Sequence, residues 1–264
     1  MPGAATVKVT AAQLAFANRL ADAAGAIIRR YFRRKFAIDE KSDRTPVTIA
    51  DRAAERAMRR LIKARFPQHG IIGEEYGRAQ AEADYVWVLD PIDGTKSFIS
   101  GVPLFGTLIA LAYRGRPILG VIDQPILRER WVGATGRKTT LNGTRIETRA
   151  CARLDRATLF ATSPDLFGAG DADAFERLRR TAKLTRFGAD CYAYALLASG
   201  FIDLVVEVGL KTHDFCALAP VIEGAGGTLT DWAGKALDFR SDGRVVASGD
   251  RILGAKARTV LARA

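Results

Sequence analysis

Cysteine is scarce in this chain, and its scarcity removes several classes of function. Only Cys151, Cys191 and Cys216 occur, an odd number with no close-spaced pair. Neither a disulfide framework nor a zinc-thiolate site is expected, and a reducing cytoplasm is the compartment such usage fits. Long hydrophobic runs are missing too. The longest near-apolar stretch, Val102 to Tyr113, contains Gly106 and Thr107 and is too short to span a bilayer. Met1 to Thr10 lacks the basic-then-apolar pattern of a secretory signal, so none is expected. There is no low-complexity tract and no internal repeat. Acidic residues are the minority, 29 against 40 basic ones, which leaves a formal charge of +11. Much of the excess lies early, at Arg29, Arg30, Arg33, Arg34 and Lys35, then at Arg52, Arg56, Arg59, Arg60, Lys63 and Arg65. Such a field draws in anionic small molecules or nucleic acid. No interleaved aromatic stacking motif accompanies it, so a dedicated nucleic-acid role is disfavoured and solvated helix faces are the simpler reading.

What remains is an ordinary globular composition, 48% hydrophobic over 264 residues, enough for one large or two modest domains. Leu14, Ala17, Ala21, Ala24, Ile27, Ile28 and Tyr31 recur at helical spacing and predict a long amphipathic helix over about residues 10–36. A polar loop follows across Asp39–Pro46. Thr48 then reads as an N-cap with Asp51 at the third helical position, ahead of a second helix closed by Pro67 to Gly70. From Leu104 to Ile146, strands joined by tight turns predict an antiparallel meander. Beyond Cys151, strand and helix alternate. Strands are predicted near Thr158–Thr162, Thr185–Phe187, Asp203–Val208, Gly227–Asp231 and Val245–Ala247. Helices are predicted near Ala172–Ala182, Cys191–Ser199, Asp214–Gly224 and Arg251–Arg263. The two styles imply two subdomains, residues 1–150 and 151–264, without a flexible linker.

The most informative stretch is Asp90-Pro91-Ile92-Asp93-Gly94-Thr95, at the end of the apolar run Tyr85-Val86-Trp87-Val88-Leu89. That run reads as a buried strand, from whose C-terminal end two carboxylates emerge. Pro91 cannot donate a ladder hydrogen bond and Gly94 tolerates almost any backbone angle, so a turn is expected there. Clustered carboxylates favour protonation unless a cation lies between them. Oxygen ligands without histidine or thiolate suit a hard ion, Mg²⁺ before Zn²⁺. Gly94 and Thr95 are expected to begin a short helix through Phe98, whose free N–H groups suit phosphate oxygens. Four further acids are candidate partners: Asp51, Glu74 in Ile71-Ile72-Gly73-Glu74-Glu75, Glu207 ending a strand, and Asp214 opening a helix. Each has a plainer alternative. Asp51 and Asp214 suit helix N-terminal dipoles, and Glu74 suits a solvated turn.

Gly73-Glu74-Glu75, Trp87 through Thr95, and His213-Asp214 with Gly224-Ala225-Gly226-Gly227 behind it together resemble the inositol-monophosphatase-like, Mg²⁺-dependent phosphatases. The resemblance implies an α/β fold, a layered αβαβα sandwich, dimeric as a rule, with metals where the two halves meet. Most of the ligands come from the first half and Asp214 comes from the second. By position, Glu74, Asp90, Asp93, Asp214 and the carbonyl of Ile92 would hold about two or three Mg²⁺ ions. Asp51 and Thr95 would orient the attacking water, and Lys41 would lie on a loop closing over the site. Two such metals roughly 4 Å apart neutralise a phosphate monoester, activate water and stabilise the leaving alkoxide. A covalent phosphocysteine or NTP-cradle mechanism has no matching motif here, and His69 and His213 offer little to histidine-phosphatase chemistry.

Within that family the chain is most similar to the histidinol-phosphate phosphatases. The similarity is carried by Asp93 to Phe98, by Asp123 to Gly133, by Ala161-Thr162-Ser163-Pro164 and by Gly188 to Tyr194. Histidinol phosphate carries an ammonium and an imidazole, and Asp190 with Glu207 would supply carboxylates to pair with them. An N-cap ahead of Cys191 is the plain alternative for Asp190. Gly94, Thr95, Asp93 and Asp214 complete the expected substrate contacts. His213 stands where relatives usually carry Trp or Tyr; it would either hydrogen-bond a ligand carboxylate or be a surface replacement without consequence. Inositol monophosphate and 3′-phosphoadenosine 5′-phosphate are the rival substrates. A role in binding RNA or the transcription machinery is the rival of another class.

Overall fold

Alternate residues of one strand serve two different cores, and that alternation explains the layering. The computed structural model describes residues 7–35, 38–40 and 46–262. Helix α1 (Ala11–Tyr31) is capped reciprocally by Thr10 and Gln13. It stops short of the predicted end because Arg33 takes a left-handed φ of 58° and its Nε donates to the carbonyl of Gly101. The predicted loop across Asp39–Pro46 is partly strand: β1 (Ile38–Glu40) and β2 (Pro46–Thr48) pair antiparallel. Lys41 lies outside the described residues. Helix α2 (Ile49–Arg65) begins with the expected capping box of Thr48 and Asp51.

Eight strands form the first sheet: β3 (Gly70–Gly73), β4 (Gly77–Ala79), β5 (Tyr85–Asp93), β6 (Gly106–Tyr113), β7 (Arg116–Gln124), β8 (Glu129–Ala134), β9 (Thr140–Leu141) and β10 (Thr144–Arg145). Their order is β10-β9-β8-β7-β6-β5-β3-β4, with β3 parallel to β5 and the expected meander antiparallel beyond it. The short helix α3 (Thr95–Ile99) follows β5. The second sheet contains β11 (Thr158–Ala161), β12 (Leu184–Phe187), β13 (Leu204–Glu207), β14 (Thr228–Thr230) and β15 (Val245–Ser248), in the order β12-β11-β13-β15-β14. Five helices accompany it: α4 (Ala169–Thr181), α5 (Asp190–Ala198), α6 (Thr212–Phe215), α7 (Leu218–Gly224) and α8 (Arg251–Leu261).

Trp87 and Leu89 of β5 face α1 and α2, in a cluster with Phe16, Leu20 and Met58. Val86 and Val88 face the other way, into a cluster shared with Tyr194 of α5, Phe215 of α6, Val221 of α7 and Val205 of the second sheet. A third cluster joins that sheet to α4 and α8 through Phe175, Leu178, Val206 and Leu253. The layers are therefore αβαβα. The helix predicted over Asp214–Gly224 is two short helices, because Pro220 has no N–H and is accommodated only in a first helical turn. This segment lies directly on the sheet backbone. A Cβ at Gly120 of β7 would overlap the carbonyl of Ala217, and one at Gly133 of β8 would overlap that of Pro220.

Candidate active site

Pro91 does not end β5 but bulges it. The pairing with β6 shifts register between Asp90 and Asp93, the irregularity that a residue without an N–H produces in a ladder. Thr107 Oγ1 donates to the freed Pro91 carbonyl at 2.9 Å. The expected turn falls at Gly94, whose φ of 86° excludes most side chains. A Cβ there would also lie 2.9 Å from Asp190 Oδ2, so Gly94 lets a residue of the second half reach the strand end.

Asp90 continues the face of Val86 and Val88, toward α6. Ligand atoms of Asp90, Asp93 and Asp214 lie within 4.8 Å of one another, and so do those of Glu74, Asp90 and His213. Cys191 N donates to Asp93 Oδ2 at 2.6 Å, and Lys211 N to Asp214 Oδ2 at 2.6 Å. Asp90 Oδ1 is buried without a hydrogen-bond partner. Burial pushes Asp90 well above the usual carboxylate range, and Glu74, Asp93 and Asp214 push it further. Asp93 is raised the same way, by burial and then by Asp190 and Asp214. Asp214 is raised by burial, against the opposing pull of the His213 imidazole. Buried carboxylates that repel one another, one with an orphaned oxygen, fit a divalent cation in their midst.

Asp51 and Thr95, the expected water-orienting pair, are both at this end of β5 but hold other partners. Asp51 Oδ2 accepts from Thr48 N at 2.8 Å and Thr48 Oγ1 at 2.5 Å, while Oδ1 is buried without a partner. Burial lifts Asp51 to about 7 despite those bonds. Thr95 Oγ1 donates to the Ile92 carbonyl at 3.1 Å, and no hydrogen bond joins Thr95 to Asp51 among the described residues.

Asp90 and Asp93 come from the first half, and Asp190, Glu207 and Asp214 from the second. Asp190 does not cap α5, whose N-cap is Ala189; its Oδ2 accepts from Ser97 Oγ at 2.9 Å, across the two halves. Burial raises Asp190, while Ser97 and Lys96 hold it down. Glu207 accepts from Thr162 N at 2.9 Å and Thr162 Oγ1 at 2.7 Å, and burial raises it to about 7. Asp93, Asp190, Glu207 and Asp214 line one cavity of about 190 Å³, with Leu166 and Leu210 on its apolar wall. Among the described residues, no lysine, arginine or histidine lines it.

Glu55 gains a role that sequence reasoning missed, and His213 is decided between its two alternatives. Glu55 of α2 is fully buried; its Oε2 accepts from Glu75 N at 2.7 Å and its Oε1 from Tyr76 N at 3.2 Å. It thereby holds the turn that carries Glu74, and a Cβ at Gly73 would overlap its carboxylate. Its place on the apolar face of α2, beside Ala54 and Met58, is the available signal. His213 is not a surface replacement: its side chain is 12% exposed and faces the acids. His69, by contrast, is structural, accepting from Trp87 Nε1 at 3.2 Å between the stacked rings of Phe66 and Tyr85.

The model of the inositol monophosphatase family matches residues 11–263. The bifunctional phosphatase IMPL2, chloroplastic, of Arabidopsis thaliana is 58% identical over 91% of this chain and 70% of its own. The histidinol-phosphatase of Chlorobaculum parvum is 38% identical over 89% and 92%. The Nus factor SuhB of Pseudomonas aeruginosa is 34% identical over 94% and 95%. Among solved structures, an inositol monophosphatase from Zymomonas mobilis superposes with a TM-score of 0.88 at 48% identity, covering 96% of this chain and 99% of that one.

Proposed function

Since the chain belongs to the inositol monophosphatase family, we propose that this phosphatase hydrolyses L-histidinol phosphate to L-histidinol and phosphate, using Mg²⁺. The observation that carries the substrate is the cavity wall. Four carboxylates, from Asp93, Asp190, Glu207 and Asp214, line a space of about 190 Å³ whose wall, among the described residues, includes no basic side chain. Asp93 and Asp214 belong to the acid cluster that suits metal; Asp190 and Glu207 are left over. A neutral polyol would bring no positive charge to those two, which are otherwise held by Ser97, Lys96 and Thr162, whereas an ammonium or imidazolium pairs with them.

Glu74, Asp90, Asp93, Asp214 and the Ile92 carbonyl are the proposed ligands of Mg²⁺. Bound there, the ion would screen the phosphate charge and make water more acidic. Asp51, whose Oδ1 is buried without a partner, would receive the proton of the attacking water, with Thr95 orienting that water. The first amides of α3 lack partners within the helix and suit the phosphate oxygens. Water oxygen adds to phosphorus, the ester P–O bond breaks, and the departing alkoxide takes up a proton. Phosphate release with Mg²⁺ from L-histidinol phosphate, inositol 1-phosphate and 3′-phosphoadenosine 5′-phosphate tests the assignment. A higher kcat/KM for either of the latter two overturns it.

A further inference from the structure

His213 points a ring nitrogen into a cluster of acids, and its surroundings give that nitrogen little else to do. Its Nε2 lies 3.4 Å from Asp214 Oδ1 without the geometry of a hydrogen bond. A ligand nitrogen of the same ring is within 4.8 Å of carboxylate oxygens of both Glu74 and Asp90. Asp90 is 2% exposed, and its Oδ1 is without a partner. An imidazole lying among three carboxylates either donates a proton to one of them or shares a cation with them. The side chain sits on the short helix α6, a few residues ahead of Ala217 and Pro220, whose carbonyls are seated on Gly120 and Gly133 of the sheet.

We infer that the His213 imidazole is a direct nitrogen ligand of the divalent cation held by Glu74 and Asp90. This rests on the proposal that the acids bind metal. The donor set is then mixed, nitrogen and oxygen, rather than the all-oxygen set that Mg²⁺ prefers. Imidazole favours the transition ions over Mg²⁺, so this position binds Mn²⁺ more tightly, relative to Mg²⁺, than an otherwise identical site without the histidine.

The chain contains only two histidines, and His69 is stacked between Phe66 and Tyr85 with its Nδ1 accepting from Trp87, so a nitrogen signal is assignable. Full-length protein is loaded with Mn²⁺, with natural or ¹⁵N-labelled histidine, and read by pulsed electron paramagnetic resonance. Mn²⁺ affinity and its competition by Mg²⁺ are measured on the same samples, beside His213→Tyr and His213→Trp, whose melting temperatures report folding. The expected result is a directly coupled histidine nitrogen in the parent protein that is absent from both variants. Mn²⁺ affinity should fall by about tenfold in them while Mg²⁺ affinity stays within about twofold. Stoichiometric Mn²⁺ without a coupled nitrogen, or a coupling that persists in folded variants, overturns the inference and leaves the metal site standing. No Mn²⁺ binding by the parent protein overturns both.

Discussion

Replacing Asp190 by asparagine separates charge from shape. Asp190 has a φ of 45°, a conformation that asparagine adopts more readily than alanine, so Asp190→Asn keeps the backbone where Asp190→Ala would strain it. The amide is isosteric, still fits against Gly94, and can still accept from Ser97 Oγ, now 2.9 Å away. What it loses is the negative charge facing the cavity. A hydrogen bond between charged partners contributes about 1.5–3 kcal/mol net. At about 1.4 kcal/mol per decade, that is a loss of about 10- to 150-fold in kcat/KM for L-histidinol phosphate. A neutral polyol phosphate such as glycerol 2-phosphate makes no such bond, so its kcat/KM should change by less than about threefold, within the roughly 0.5 kcal/mol of a mild substitution. Initial rates of phosphate release on both substrates, with Mg²⁺ saturating, measure the two losses. Equal losses would refute the ammonium-pairing argument, and with it the assignment of substrate from the cavity wall.

Asp93→Asn should fold and lose activity on every phosphate ester, by at least about a thousandfold if the charge holds metal; near-parental turnover would exclude that role. Without metal, Asp51, Asp90, Asp93, Asp190, Glu207 and Asp214 all hold protons more tightly folded than unfolded. Their contribution is therefore fully present below the ordinary carboxylate range and is lost as pH rises through the raised values, about 7 for Asp51 and Glu207. Chelated protein should melt at falling temperature from pH 5 to pH 8, and Mg²⁺ should restore more at the upper end; a flat or rising profile would contradict the burial argument. Gly94→Ala should cost about 1–3 kcal/mol in denaturant unfolding, from its φ of 86° and the contact with Asp190; an unchanged midpoint would show that the turn relaxes. Glu55→Gln should weaken Mg²⁺ binding by about tenfold through the Glu74 turn, and unaltered binding in calorimetry would remove Glu55 from that role.

Helical periodicity, the Thr48 cap and the meander were legible because each depends on neighbours in the chain. The layered sandwich and the convergence of acids on the end of β5 were legible through a family resemblance, since nothing in local spacing brings Asp214 to Asp90. Pro91 misled because a bulge and a turn look alike until the partner strand is known; β6 supplies Thr107 to the freed carbonyl, and the strand runs on to Asp93. The break ahead of Pro220 was missed because periodicity continues across it. Glu55 and His213 were undervalued for a common reason. A charged or polar residue declares its role only through what faces it, and what faces these two comes from residues 75–76 and from the Glu74–Asp90 pair.

The absence of side chains at Gly120 and Gly133 has a mechanical consequence. With the carbonyls of Ala217 and Pro220 seated where those side chains would be, the start of α7, just beyond the helix that carries Asp214, has no compressible layer beneath it. Its distance from the sheet is set by the thickness of two backbones, as by a shim. Reshaping the pocket for a larger or smaller alcohol is then simpler at Leu166 and Leu210, side chains of its apolar wall, than along α7.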